Sequence, residues 1–173
     1  MKKILALLQF FPLTAFLIIA RSYDFTNQGW SIAFQWAALM AVIQLMILLP
    51  LLKNKMSRLV AGVNLFFIFG GIAFFFKNEI LLNFMEYLKE AGIIFFVAVV
   101  CIAATIFSRT GVFETAISKS HSEKKYSVYY LLATAFALIW AFAHRGDMIS
   151  ASAGPFILLN ILKEVFERKL STI

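Results

Sequence analysis

Residues able to do chemistry are few in this chain, and their spacing keeps them apart. There are two histidines, His121 and His144, and one cysteine, Cys101. His121 lies in a Ser/Lys-rich stretch and His144 at the far end of the next apolar run, so the two cannot share a metal. No His/Cys/carboxylate spacing suggests zinc. No G-x-S-x-G, H-E-x-x-H or phosphate-loop pattern occurs. An active site needs a nucleophile or an acid/base pair held in mutual reach, and no such pair is apparent. The chain is therefore read as non-enzymatic, with no catalytic residue, cofactor or metal. His144, Arg145 and Asp147 could form a small polar cluster, but a solvated turn explains them equally well. A single cysteine allows no intrachain disulfide, and Cys101 suits small apolar packing.

The remaining polar candidates lie inside apolar runs: Gln9, Thr14, Gln35, Gln44, Asn64, Thr105, Thr134 and Asn160. Gln44 and Asn64 are amides well within their runs. One reading makes them the lining of a path for a small solute. The plainer reading makes them interhelical hydrogen bonds, worth about 0.6–2 kcal/mol each. Gly62, Gly70 and Gly71 fall in one run, where small residues let helices approach closely. They are candidates for helix packing or for contact with a partner.

The elements that must position these residues follow from composition. The chain has 173 residues, is 62% hydrophobic and only 14% charged, where a soluble domain is roughly half apolar and a quarter charged. A chain this short cannot enclose so many large apolar side chains, twenty Phe among them, in water. Crossing about 30 Å of hydrocarbon needs a helix of about 20 residues. Six runs approach that length: 4–20, 30–52, 59–76, 91–108, 126–144 and 148–162. None contains Asp, Glu, Lys or Arg. Backbone groups in lipid must bond internally, which predicts helices. The expected fold is all-α, a polytopic transmembrane bundle forming a single domain over residues 1–173. Residues 4–20 resemble a signal peptide, but Ile18 is bulky where cleavage wants a small residue and Pro12 interrupts the stretch. Retention as the first helix is expected.

Basic residues orient the bundle. With the amino terminus in the cytoplasm, the inner side holds Lys2, Lys3, Lys53, Lys55, Arg58, Arg109, Lys119, Lys124, Lys125, Lys163, Arg168 and Lys169. The outer side holds Arg21, Lys77, Lys89 and Arg145. Twelve against four is a positive-inside pattern with both termini cytoplasmic. The sixth run is diluted by Ser150, Ser152, Gly154 and Pro155 and ended early by Lys163. It is kept because losing it would erase the bias, and snorkelling of Lys163 covers the short length. The net charge of +7 thus suits anionic headgroups rather than nucleic acid, which needs a contiguous basic surface. Trp30, Trp36, Trp140, Tyr126, Tyr129 and Tyr130 read as an interfacial belt.

Residues 80–90 differ in kind. Ile80, Leu81, Phe84, Met85 and Leu88 share one helical face, while Asn83, Glu86, Lys89 and Glu90 share the other. This predicts a short amphipathic helix lying at the outer interface. Residues 109–125 form the longest gap, and Ser118–Lys125 reads as a solvated loop.

Several stretches resemble a known family. Phe10-Phe11-Pro12-Leu13 is followed by Tyr23-Asp24, then Lys55-Met56, then Phe69-Gly70-Gly71-Ile72-Ala73-Phe74-Phe75-Phe76-Lys77-Asn78-Glu79. Their order and spacing over residues 10–79 resemble the bacterial intracellular septation protein A (YciB) family of small multi-pass inner-membrane proteins, with its F-G-G-x-x-x-x-F-x-N-[DE] segment. After residue 79 the chain departs from the family pattern, lacking its lysines with Pro-Thr and its W-x-N-F-K-like stretch. The resemblance implies a non-enzymatic role in envelope maintenance and septation. Its implied partners are the lipid bilayer, division or elongation membrane proteins, or a second copy of the chain. A small transporter or channel for an uncharged or amphiphilic solute is the alternative.

Overall fold

The computed structural model describes residues 9–24, 26–52, 57–108, 111–113 and 120–171, with backbone alone at 27, 48–52, 120–123 and 171. Helices form nearly all of it, and no strand occurs among the described residues. In chain order they are α1 (Phe11–Ser22), α2 (Asn27–Leu52), α3 (Arg58–Phe75), α4 (Glu79–Leu88), α5 (Gly92–Phe107), α6 (Ser120–Ala143) and α7 (Gly154–Ser171). A 3-10 turn, Lys89–Ala91, leads into α5, and a π turn, Ile149–Ala153, leads into α7. Among the described residues, five stretches are long and apolar enough to cross a membrane: Gln28–Ile47, Arg58–Phe75, Glu79–Phe107, Lys124–Ala143 and Ile149–Leu170. Helix α1 is shorter, with twelve residues described.

Sequence chemistry sets the boundaries. Pro12 occupies the first turn of α1, where its missing N–H costs nothing, so it starts this helix rather than interrupting it. The expected first run therefore appears as Phe11–Ser22, and residues 1–8 lie outside the described residues. Lys77 adopts a left-handed φ of 49° beyond α3. The Asn78 carboxamide oxygen then accepts the Leu81 N–H at 3.1 Å and caps α4. The Lys-Asn-Glu segment thus ends one helix and starts the next.

Ser120–Lys125 is helical, not a loop: Ser120 and Glu123 carry the Ser-x-x-Glu spacing of a helix start, a signal that solvation arguments overlook. Lys163 does not end the sixth run either, since α7 continues to Ser171. Pro155 breaks the backbone ladder near its beginning, and the widened π turn falls immediately before it. Beyond Lys163, Arg168 pairs with Glu164 one turn back at 2.6 Å.

The chain divides into two compact units, residues 1–53 with 63–87, and residues 54–62 with 88–173. In the first unit, α2 buries Gly29, Ala33, Phe34, Ala37, Ala41 and Gln44, a stripe at three- and four-residue spacing. Phe34 joins Phe16, Phe66, Phe67 and Phe74 in an aromatic core with ring centroids 4.9–6.3 Å apart. Offset and edge-on contacts of this kind add to simple area burial. Helix α4 turns its apolar face into the same unit, with Met85 buried and Phe84 set edge-on against Phe69 at 5.7 Å. Ile80 is the exception, at 79% exposed.

In the second unit, α5, α6 and α7 run alternately up and down. Glu90, just before α5, accepts the Gly146 N–H just after α6. At the opposite end Ser127 of α6 accepts the Val112 N–H, beyond α5. The Tyr126 and Phe166 rings meet at 5.2 Å with their planes tilted by 50°, so α7 descends beside α6. Large apolar side chains cover the outer faces: Leu132, Phe136, Ile139 and Trp140 on α6, and Ile157, Leu158, Ile161 and Val165 on α7 are all exposed. Helix α2 likewise exposes Leu39, Val42, Ile43, Met46 and Ile47.

Candidate functional site

Gln44 and Asn64 meet. The Asn64 Nδ2 donates to Gln44 Oε1 at 2.6 Å, and the residues are 1% and 8% exposed respectively. Both amides lie on the buried stripes of α2 and α3, where an unsatisfied polar group is costly. The Asn64 Oδ1 is buried with no hydrogen-bond partner. Thr14, Thr105, Thr134 and Asn160 instead bond a carbonyl four residues back in their own helix. They hold no second helix through those bonds.

The three glycines are seats for the chain's own neighbours. A Cβ at Gly71 would overlap Ala38, and one at Gly70 would overlap the Phe34 ring. In the second unit a Cβ at Gly62 would stand 2.5 Å from the Val97 Cα. The small-residue surface expected to serve packing or a partner is thus taken up within the chain, by α2 against α3 and by α5 against the start of α3.

The second unit also holds a buried polar cluster that the apolar-run reading missed. Lys163, 8% exposed, donates from Nζ to Ser57 Oγ at 3.0 Å. Its ammonium also lies 3.6 Å from Glu167 Oε1. The adjoining Arg58 has its Nε buried with no hydrogen-bond partner. Cys101 is fully buried on α5. The Tyr130 hydroxyl donates to the Leu159 carbonyl, one turn before Lys163, at 3.1 Å. Tyr130 is completely buried, so it is no member of an interfacial belt: it shares an inward face with Ser127 and Thr134. Helical register carried the signal for Lys163. Pro155, Leu159, Lys163 and Leu170 fall on one buried face, so Lys163 continues that face inward.

At the other end, His144, Arg145 and Asp147 each bond elsewhere. The His144 Nδ1 approaches the Trp140 carbonyl at 2.9 Å and its ring stacks on Trp140. The Arg145 Nε donates to the Phe142 carbonyl at 3.2 Å. The Asp147 carboxylate accepts the Ser150 hydroxyl at 2.7 Å and the Ile149 and Ser150 N–H groups. These bonds, the Ser150 hydroxyl first, hold its carboxyl below the usual carboxylate range. Glu90 reaches over from before α5 to bond Gly146, whose φ of 100° only glycine adopts without strain.

Among the described residues no three His, Cys, Asp or Glu side chains gather as a metal site would require. Lys2, Lys3, Lys53, Lys55, Arg109 and Lys119 lie outside the described residues, as does the side chain of His121. No protein-family model matches the chain, and no curated protein or solved structure shows significant similarity to it.

Proposed function

We propose that this chain is a multi-pass protein of the bacterial inner membrane, with six crossings, both ends cytoplasmic and α4 at the outer interface. We further propose that it works without catalysis, in envelope maintenance and septation, by contact with other membrane proteins. The positive-inside distribution supports the orientation. Its two described ends agree with it: Ser57 meets Lys163, both assigned inside, and Glu90 meets Gly146, both assigned outside. The resemblance of residues 10–79 to the septation protein A family supports the cellular role.

The observation that carries the mode of action is how the internal polar groups are spent. Gln44 holds α2 to α3, Tyr130 holds α6 to α7, and Lys163 holds α7 to the start of α3. The outward faces are left to large apolar side chains, which suit lipid and other helices. Photo-crosslinking side chains at Ile43, Phe136 and Ile157 in native membranes test this. Discrete adducts with division or elongation membrane proteins are expected, and adducts with lipid alone contradict contact as the mode of action.

One observation favours the second reading, passage of an uncharged or amphiphilic solute. The buried, unbonded Asn64 Oδ1 offers an acceptor deep in its helix. Solute flux in proteoliposomes that Gln44→Leu with Asn64→Leu abolishes would select that reading.

A further inference from the structure

Helix α2 carries an amide on the face it turns away from its own unit. Gln28, Gln35, Leu39, Val42 and Met46 are exposed, with Ile32 half-buried between the two glutamines. Positions 28, 32, 35, 39, 42 and 46 follow one another at steps of four and three residues, the a and d spacing of a helix that pairs with another helix. This seam is distinct from the buried stripe of Ala33, Ala37, Ala41 and Gln44. Gln35 lies about 10 Å along the axis from the start of the apolar stretch Gln28–Ile47. Its Nε2 donates one long hydrogen bond, to Ser31 Oγ at 3.4 Å. A carboxamide has two N–H donors and a carbonyl acceptor, so this bond leaves most of its capacity unused. Facing hydrocarbon in that condition is costly.

We propose that this seam joins α2 to the α2 of a second copy of the chain, as a parallel pair registered by Gln35. The proposal rests on the bilayer-spanning reading above: copies inserted with one orientation hold Gln35 at one depth. A two-fold axis then brings the two Gln35 carboxamides together, and a carboxamide is complementary to itself, donating from nitrogen and accepting at oxygen. An unrelated helix would need its own donor and acceptor at that depth, whereas a second copy supplies both. Leu39, Val42 and Met46 would interleave with their counterparts, and Gln28 would repeat the amide contact one heptad away. Amide side chains hold helices together in membranes, and a lone polar residue in an apolar seam fixes register and orientation.

Disulfide trapping of the full-length protein in native membranes tests the pair. Single cysteines replace Leu39, Val42, Met46, Trp36 or Ile47 in a Cys101→Ser background, with copper phenanthroline as oxidant and non-reducing electrophoresis as readout. Dimers should form at 39, 42 and 46 and hardly at 36 and 47, which lie about 100° around the helix. With the cysteine at 42, Gln35→Leu should lower the dimer-to-monomer ratio about tenfold, and Gln35→Asn should restore much of it. No dimer, equal trapping at all five positions, trapping at a single seam position (an antiparallel pair), adducts with another protein in place of dimers, or a ratio unchanged by Gln35→Leu overturns the proposal. Maleimide labelling of Lys77→Cys and Lys125→Cys in the same cells separates the two failures. Labelling of Lys125→Cys from outside removes the membrane orientation itself, whereas correct labelling without dimers removes this pairing alone.

Discussion

The Lys163 ammonium donates to the Ser57 hydroxyl oxygen at 3.0 Å, although 106 residues separate them. The bond fixes the middle of α7 beside the first turn of α3. It also explains how a lysine is tolerated among Leu159, Phe156 and Leu170: a buried charge persists when paired and hydrogen-bonded.

Removing one partner should therefore hurt more than removing the charge itself. Glu167→Gln leaves Lys163 buried with less compensation and should cost about 1–3 kcal/mol, reduced from the fully buried case because Glu167 is 28% exposed. Lys163→Met keeps volume and removes the charge, so it should cost less. Unfolding midpoints of the two variants decide this, and a larger loss for Lys163→Met contradicts the charge argument.

The amide pair should behave as a coupled unit. Asn64→Leu strands Gln44, and Gln44→Leu strands Asn64, whereas the double variant removes both polar groups. A double-mutant cycle in detergent should give a coupling of about 0.6–2 kcal/mol. Strict additivity would mean that the bond holds nothing.

Glycine variants separate lack of space from backbone strain. Gly71→Ala must push Ala38 away and should cost about 1–3 kcal/mol. At Gly146 nothing lies within 4 Å of an added Cβ, yet φ is 100°, so Gly146→Ala should cost about 1–3 kcal/mol through strain alone. Gly70→Leu and Gly71→Leu should prevent folding, so lost co-purification of a partner by these variants reports lost structure. A folded Gly71→Leu protein would contradict the close approach of α2.

The Asp147 cap makes a pH prediction. Its folded pKa is depressed, so its contribution is full above the unfolded value of about 3.9 and is lost as pH falls through the folded value. The difference in melting midpoint between the natural protein and Asp147→Ala should be constant near neutrality and shrink below about pH 4. A difference that instead grows on acidification reverses the sign and contradicts the cap.

Much of the helical architecture is legible from residues alone, because helical spacing survives any tertiary detail. The α4 face shows this: Leu81, Phe84, Met85 and Leu88 point inward as their spacing demands. Ile80 shows the limit, since spacing says which face is apolar and not how far its cover extends. Gln44 and Asn64 stand out as amides in apolar runs, but their pairing depends on the rotation of α2 against α3. Small glycines are visible in sequence, but Ala38, Phe34 and Val97 as their occupants are not. Lys163 is the least legible, because a charge reads as the end of an apolar run although its register continues that of Leu159.

The central claim is that these helices cross a bilayer with their lysine-rich ends on the cytoplasmic side. Single cysteines in a Cys101→Ser background, reacted with a membrane-impermeant maleimide, test it most directly. Lys77→Cys and Arg145→Cys should label in intact cells, while Lys125→Cys and Lys169→Cys should label only in inverted membrane vesicles. Labelling of Lys125→Cys in intact cells would contradict the account.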